Sequence, residues 1–457
     1  MKKTTFAVML DSYLKIGMKI ENNFDAVRRE VKYKGKNGVL YFLSTLTSSV
    51  QIMGIIESLV NVDITKYVSK KIYVGPISYD DDYKNILKLC LSGVACLILD
   101  DYDKAIMIET REYPTRSISE PTTEKTIRGS KDGFNESINT NIGLIRRRIR
   151  DKNLTIDLFS IGKKSKTDVA LIYLDDCVDE KIKNEIKLKL NNIDVDSLVM
   201  SDRALEEIIF KQNKSLFPLV RYTERPDVAS IELYQGKMII MVDTSASVII
   251  TPTTIFDHVH HVEEYRESPF AGTFLRLIRN LAIILSIFLI PLWLALVTET
   301  DINNYFILKP SKETAIPIIV QILLAELFME MIRIAIVHTP SELTSAISMV
   351  SAIILGSVSI ELKIFLPEIL VYVSFETIAS FATPSYELSN ANKLTKYYLL
   401  FLTALFGRVG FLIGTTIFIC YLSSVNILGI PYLYPIVPFD IRKAGSLFFR
   451  RKGNKTL

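Results

Sequence analysis

Hydrophobic positions fall into two regimes along the chain. Up to about residue 268, short apolar runs alternate with charged stretches; from 281 to 439 the apolar runs are long. In the first regime, Gly38–Leu43 predicts a strand feeding an amphipathic helix around Gln51–Val60, and Asp168–Leu174 does the same ahead of Lys181–Leu190. A second pattern also occurs twice. Glycine, six mostly apolar residues and aspartate span Gly93–Asp100 and Gly236–Asp243, and a strand follows each, Ala105–Glu109 and Ser247–Thr251. Strands alternating with helices in two copies predict two small α/β subdomains.

The second regime matches the length scale of a bilayer, whose core needs about 20 apolar residues per helix. Five helices are predicted, at 275–298, 314–337, 343–361, 364–382 and 396–422. Arg276 and Arg279 precede the first apolar run, and Glu299 and Asp301 follow it, so its start is expected on the cytoplasmic side. Pro291 is tolerable there, because neighbouring groups in a membrane bundle re-satisfy freed backbone. The expected fold is an α/β soluble amino-terminal half followed by an all-α polytopic membrane domain. Its divisions are an N-terminal tail at 1–22, cytoplasmic α/β subdomains at 23–150 and 151–268, transmembrane helices at 269–440 and a basic cytoplasmic tail at 441–457. The tail carries Arg442, Lys443, Arg450, Arg451 and Lys452. A cytoplasmic start and tail require an even number of crossings. Five helices therefore leave one segment that only dips into the membrane, or a broken return through 424–439.

Charge and small residues within the apolar half supply candidate chemistry. Glu326, Glu330 and Arg333 are spaced i, i+4, i+7, which puts them on one helical face. That face is either an interfacial helix with a Glu330–Arg333 pair or a face involved in ion conduction, since charge at membrane depth turns inward or toward water. Glu368 and Glu376 are further intramembrane carboxylates, and either is a candidate partner for Arg408. Ser345, Ser348, Ala352, Gly356 and Ser359 form one small-residue stripe, and Thr403, Gly407, Gly410 and Gly414 another. Such stripes let helices approach closely; a hydroxyl-bearing one repeated around an axis can instead line a narrow pore.

Composition adds little and excludes some classes. The net charge of +4 gives no case for nucleic acid. Cys90, Cys96, Cys177 and Cys420 lack any C-x-x-C spacing, so neither a disulfide framework nor a zinc site is expected. The apolar run after Met1-Lys2-Lys3 is too short for a signal peptide. No phosphate-binding, nucleophile-elbow or zinc-protease motif is present, so no enzyme and no cofactor are expected. His258, His260 and His261 fit a structured connector, and Asp81-Asp82 and Asp175-Asp176 fit helix caps or solvated turns. Arg146–Arg148 and Arg150 are candidates for lipid headgroups, for a solvated face or for contact between subunits.

Several longer stretches carry a resemblance. Tyr222-Thr223-Glu224-Arg225-Pro226-Asp227 resembles the signature of the bacterial spore germinant receptor A-subunit (GerA) family, as do Ile250–Thr254, Arg128–Glu136, Pro384–Leu388 with Asn390 and Asn392, and Gly429–Leu433. The likeness runs from about residue 23 to 440. Pro218–Arg221 and His258–Arg266 look most like the stage V sporulation protein AF branch. The resemblance implies the spore inner membrane and a role in germination. It also implies a ring-like homo-oligomer that conducts monovalent cations, with a small membrane partner or with germinant receptor subunits. On that reading Leu343–Ile360 faces the pore axis and Glu326 and Glu330 attract cations at one mouth. A nutrient-receptor A subunit and a non-conducting signalling scaffold are the alternatives.

Overall fold

The computed structural model describes residues 5–33, 36–61, 76–113, 129–198, 200–212, 215–261, 263–264, 267–297, 316–339 and 341–449. The flanking Glu299 and Asp301, and Arg450 to Lys452 of the tail, lie outside them. The chain forms two units, one built on residues 1–215 and 219–253 and one on residues 216–218 and 254–452.

The first unit holds two five-stranded sheets. The elements of the first are α1 (Thr5–Gly17), β1 (Ala26–Tyr33), β2 (Lys36–Leu43), α2 (Ser49–Asn61), β3 (Ile77–Asp80), α3 (Tyr83–Leu91), β4 (Ala95–Leu99) and β5 (Ala105–Ile108). Its strand order is β1-β2-β4-β5-β3. The second comprises α4 (Ile138–Arg148), β6 (Leu154–Ile161), β7 (Thr167–Leu174), α5 (Glu180–Asn191), α6 (Ser201–Phe210), β8 (Arg221–Thr223), α7 (Pro226–Tyr234), β9 (Met238–Val242) and β10 (Val248–Thr251). Its order, β6-β7-β9-β10-β8, is the same permutation, so the duplication read from the sequence is structural. All neighbouring strands are antiparallel. Alternating helices do not produce a parallel sheet because β3-α3-β4 and β8-α7-β9 are split crossovers, whose parallel strands accept β5 and β10 between them.

Strand periodicity explains the packing. Tyr41, Leu43, Cys96 and Ile98 face Leu10 and Leu14 of α1 and Ile86 and Cys90 of α3. Leu40, Phe42, Leu97 and Leu99 face Ile52, Ile55 and Leu59 of α2. A strand buried on both faces needs a continuous apolar run, which β4 supplies as Ala-Cys-Leu-Ile-Leu. Residues 5–17 are therefore not part of a tail: Ala7, Leu10, Leu14 and Met18, three or four apart, place one helical face in the first core. In the second sheet Ile142 and Ile145 of α4 and Ala229 and Leu233 of α7 cover Ile172, Ile239 and Met241. The repeated glycines stop α3 and α7. Gly93 and Gly236 have φ of 95° and 83°, the left-handed conformation that glycine adopts after a helix end. A Cβ at Gly236 would lie 2.5 Å from the Cys177 carbonyl oxygen.

The second unit is helical. It comprises α8 (Pro269–Val297), α9 (Ile318–His338), α10 (Ser341–Ala352, continued by a π-helical turn Ile353–Val358 and by Ser359–Glu361), α11 (Pro367–Ser380), α12 (Tyr386–Ser424), a short hairpin β11 (Asn426–Ile427) and β12 (Ile430–Pro431), and α13 (Ile441–Phe448). Among the described residues α8, Leu343–Glu361 of α10 and α12 are long and apolar enough to cross a membrane. The stretch from Thr254 to 268, read above as part of the second α/β subdomain, belongs to this unit. The Ile255 amide donates to the Tyr432 carbonyl at 3.0 Å.

The helix expected at 396–422 is not one straight rod. Gly407 (φ 56°, ψ −138°) breaks α12 into arms 386–406 and 408–424. Gly410 lies against the Leu402 carbonyl, and a Cβ at Gly414 would meet the Leu402 and Leu399 side chains at 2.9 and 3.0 Å. Residues eight to fifteen apart stand about 12–22 Å apart along a straight helix, so the second arm folds back on the first. Hydrophobicity carries no mark of this turn; glycine's access to positive φ does. Within 424–439, considered above as a broken return through the membrane, residues 426–431 make the β11–β12 hairpin, with Leu428 and Gly429 both at positive φ as a tight hairpin requires.

Candidate functional site

The site is built on the first arm of α12. Ser385 caps it, its Oγ accepting from the Leu388 amide at 3.3 Å. From that start Asn392, Thr395, Lys396, Leu399 and Thr403, spaced by three or four, form one buried face. Lys396 is 2% exposed, and its ammonium lies 2.7 Å from Glu326 Oε2 on α9 and 3.0 Å from Glu376 Oε2 on α11. One helical turn away, Glu330 pairs with Lys393 at 3.1 Å and with Arg333. The guanidinium of Arg333 sits 5.9 Å from the centre of the Tyr386 ring. The i, i+4, i+7 face of α9 is thus the face that meets α12.

The Glu330–Arg333 pair, one of the two readings of this face, is present; two other outcomes differ from expectation. Glu326 and Glu330 are engaged by cations of their own chain, which accounts for their presence in an apolar helix without a ring of like charge. Glu376 is bridged by Lys396, three turns before the position of Arg408. Lys393 and Lys396 were missed because they lie at the polar start of an apolar run, where they look like flanking charge. Glu368 stands in the first turn of α11, and Arg408 follows the break in α12.

The α10 stripe is mostly uncovered within the chain. Ser345, Ser348, Ala352 and Gly356 are exposed, and a Cβ at Gly356 would meet nothing within 4 Å. Ser359 departs from the stripe at 5% exposure. The π-helical turn between them takes up an extra residue, which rotates the succeeding side chains by about 100° relative to an ideal α-helix. Ser359 therefore faces its own chain, where its carbonyl accepts the Ile364 amide at 2.9 Å.

In the sheet unit the arginine cluster is structural. Arg146 is 1% exposed and grips the fully buried Asp25 through two hydrogen bonds of 3.0 and 2.8 Å. Arg148 pairs with Asp132 at 2.7 Å. Burial pushes the Asp132 carboxyl up, but hydrogen bonds from Arg148 and Ser130 outweigh it and hold the group below its ordinary range. Arg147 and Arg150 stand over the Tyr113 ring at 5.3 and 5.7 Å. Arg146 and Arg148 are therefore committed within the protein rather than offered to lipid headgroups. The signature residues also hold the fold: Arg225 pairs with Asp227 at 2.8 Å and donates to the Ser130 carbonyl at 3.0 Å. The Phe134 amide donates to the Glu224 carbonyl at 2.8 Å, which joins two of the motif stretches.

Just before α8, the fully buried Glu264 binds Arg276 at 2.8 Å and Arg279. His260 Nδ1 lies 3.7 Å from the same carboxylate. His258 is buried beside the Tyr432 ring, with centroids 6.4 Å apart. The histidines thus belong to a packed connector. Among the described residues no group of three His, Cys, Asp or Glu is placed to hold a metal ion.

Comparison with known proteins covers nearly the whole chain. The family described as Bacillus/Clostridium GerA spore germination protein matches residues 14–456. Stage V sporulation protein AF of Bacillus subtilis (strain 168) is 39% identical over 94% of this chain and 89% of its own length. Spore germination protein A1 of the same organism is 26% identical over 98% of this chain and 95% of its own. The solved N-terminal domain of the A subunit of the Bacillus megaterium spore germinant receptor GerK3 is 26% identical, covering 53% of this chain and 92% of that one, with a TM-score of 0.41. By its match from end to end and by its identity to the first of these relatives, this chain belongs to the GerA family of spore germination proteins.

Proposed function

We propose that the protein is an oligomeric cation channel subunit of the spore inner membrane, which releases monovalent ions, or amplifies their release, during germination. The observation that carries this reading is α10. It is long and apolar enough to cross a bilayer, yet of the residues from Leu343 to Glu361 only Ser359 is buried by its own chain. Its uncovered side bears Ser345, Ser348 and the small Ala352 and Gly356. Copies of the chain in a ring would place that side around an axis, where hydroxyls can replace part of an ion's hydration. The ion pairs of Glu326 and Glu330 leave α10, rather than α9, as the pore element. Lipid alone could cover α10, and this is the scaffold alternative.

The amino-terminal half and the basic tail are placed on the cytoplasmic side. The fold-back of α12 supports this: each arm is about 25–30 Å long, close to the thickness of a bilayer core. With α8 and α10, the two arms make an even number of segments long and apolar enough to cross among the described residues. A small membrane protein or germinant receptor subunits are the proposed partners. The test is cation flux through purified protein in liposomes, alone and with such a partner, comparing wild type with Ala352→Leu and Gly356→Leu. Flux that both substitutions block supports the channel and its pore helix. Flux unchanged by them, from protein shown to assemble, removes α10 from the pore, and no flux in any combination favours the scaffold.

A further inference from the structure

The Glu326–Lys396–Glu376 group carries an imbalance that its packing does not resolve. Two carboxylates share one ammonium, a net charge of −1, although Glu326 is only 4% exposed and Glu376 and Lys396 are each 2% exposed. Only Oε2 of each carboxylate meets Lys396. Glu326 Oε1 and Glu376 Oε1 are buried with no hydrogen-bond partner among the described residues. Asn392, one turn before Lys396 and 3% exposed, has its amide Nδ2 in the same condition. An unpaired charge in a dry interior costs several kcal/mol, a large fraction of the stability of a folded domain.

The neighbouring groups do not remove the imbalance. On α9, Glu330 is held by Arg333, and from α12 it is held by Lys393, a trio of net charge +1. That trio is 15–31% exposed, so solvent screens it more than the inner group. The Tyr397 ring lies 5.2 Å from the Lys396 ammonium and supplies no charge of its own while its hydroxyl is protonated. From α8 the nearby packed side chains are apolar, Ile290, Trp293 and Leu294.

We infer that this triad is a proton-binding site: one proton from water adds to a carboxylate oxygen, neutralising the inner group, and its loss restores the second arm of the bridge to Lys396. The carboxyl O–H bond forms as an O–H bond of hydronium breaks and leaves water, and Lys396 stays an ammonium on the remaining carboxylate. Binding the proton therefore loosens α11 from α12 while α9 stays attached, or the reverse, according to which carboxylate takes it. The inference rests on these helices being membrane-embedded, and not on conduction.

The chain has a built-in probe. Its single tryptophan, Trp293, stacks on Tyr372 with centroids 4.8 Å apart, and Tyr372 lies one turn before Glu376 on α11. Full-length protein in nanodiscs would be titrated from acid to alkaline pH, following Trp293 fluorescence and the infrared band of a protonated carboxyl. A single transition in both signals is expected. Glu326→Gln and Glu376→Gln, each the neutral shape of a protonated carboxyl, should between them remove the band, with fluorescence fixed near its acid value in the one that normally takes the proton. Both variants titrating as wild type would overturn the proposal, as would a wild type with no transition. A change produced at constant pH by potassium or sodium would also overturn it, assigning the site to a metal cation. Liposome flux is not used, so absence of a channel would leave this result standing.

Discussion

Removing the Lys396 ammonium should cost more than any single change at an exposed ion pair. In Lys396→Met the side chain keeps most of its bulk, so the loss is electrostatic rather than a cavity. The Glu326 and Glu376 oxygens, 2.7 and 3.0 Å from the ammonium, are then no more than about 6 Å apart. On the alkaline side of the proposed transition, where both are ionised, two carboxylates at that separation repel by about 3 kcal/mol at an effective dielectric near 20. Loss of one partner from a buried pair typically costs about 3–5 kcal/mol, because the charge left behind is uncompensated. For a unit of this size that is a fall in Tm on the order of 10 °C. The assay is thermal unfolding of detergent-solubilised protein by Trp293 fluorescence at one scan rate, since unfolding of such proteins is often irreversible. A companion chain carrying Lys396→Met, Glu326→Gln and Glu376→Gln removes all three charges and should recover most of the loss. If Lys396→Met alone falls by less than about 1 kcal/mol, the worth of an exposed pair, the triad is solvated and the argument from burial fails.

Two further predictions test the packing. Arg146→Met should destabilise the sheet unit by about 3–5 kcal/mol, against less than about 1 kcal/mol for Arg147→Ala, measured by denaturant unfolding of the full chain. Equal effects would show that Arg146 is not the buried member of the cluster. Gly410→Ala should prevent α12 from closing, because the new methyl overlaps the Leu402 carbonyl, whereas Gly356→Leu should leave Tm unchanged with nothing in reach of its Cβ. A cysteine pair at Leu399 and Gly414 that fails to cross-link in wild-type background would refute the fold-back itself.

How much of this was legible depends on the range of the interaction. The sheet unit was readable because its signals are local and occur twice: apolar runs, and a glycine that must sit at positive φ after each of two helices. The antiparallel pairing was not readable, since a split crossover and a parallel one share the same order of strands and helices. Among the membrane segments, the face of Glu326, Glu330 and Arg333 follows from helical spacing alone. Its partners do not, because Lys393 and Lys396 lie more than sixty residues away in sequence and only folding brings them near. Ser359 was misplaced for a related reason: one extra residue in a π-helical turn leaves no trace in composition but turns every later side chain.

These two kinds of error point in the same functional direction. Charges that suggested a pore mouth meet cations of their own chain, while the stripe that suggested packing or a pore is mostly uncovered among the described residues. The uncovered side of α10 meets either lipid, whose chains offer its hydroxyls no hydrogen bond, or a second copy. Ser348 already donates to the Thr344 carbonyl at 2.9 Å, so its hydroxyl can face lipid at little cost, and hydroxyl chemistry alone does not decide between lipid and a second copy. Steric response does. Leucine at Ala352 or Gly356 adds apolar surface that lipid would accept without loss, whereas a closed ring of identical helices would have no room for it. The decisive contrast is therefore between stability, assembly and flux in the same two variants: folding and assembly unchanged with conduction lost is the outcome expected of a pore-facing α10.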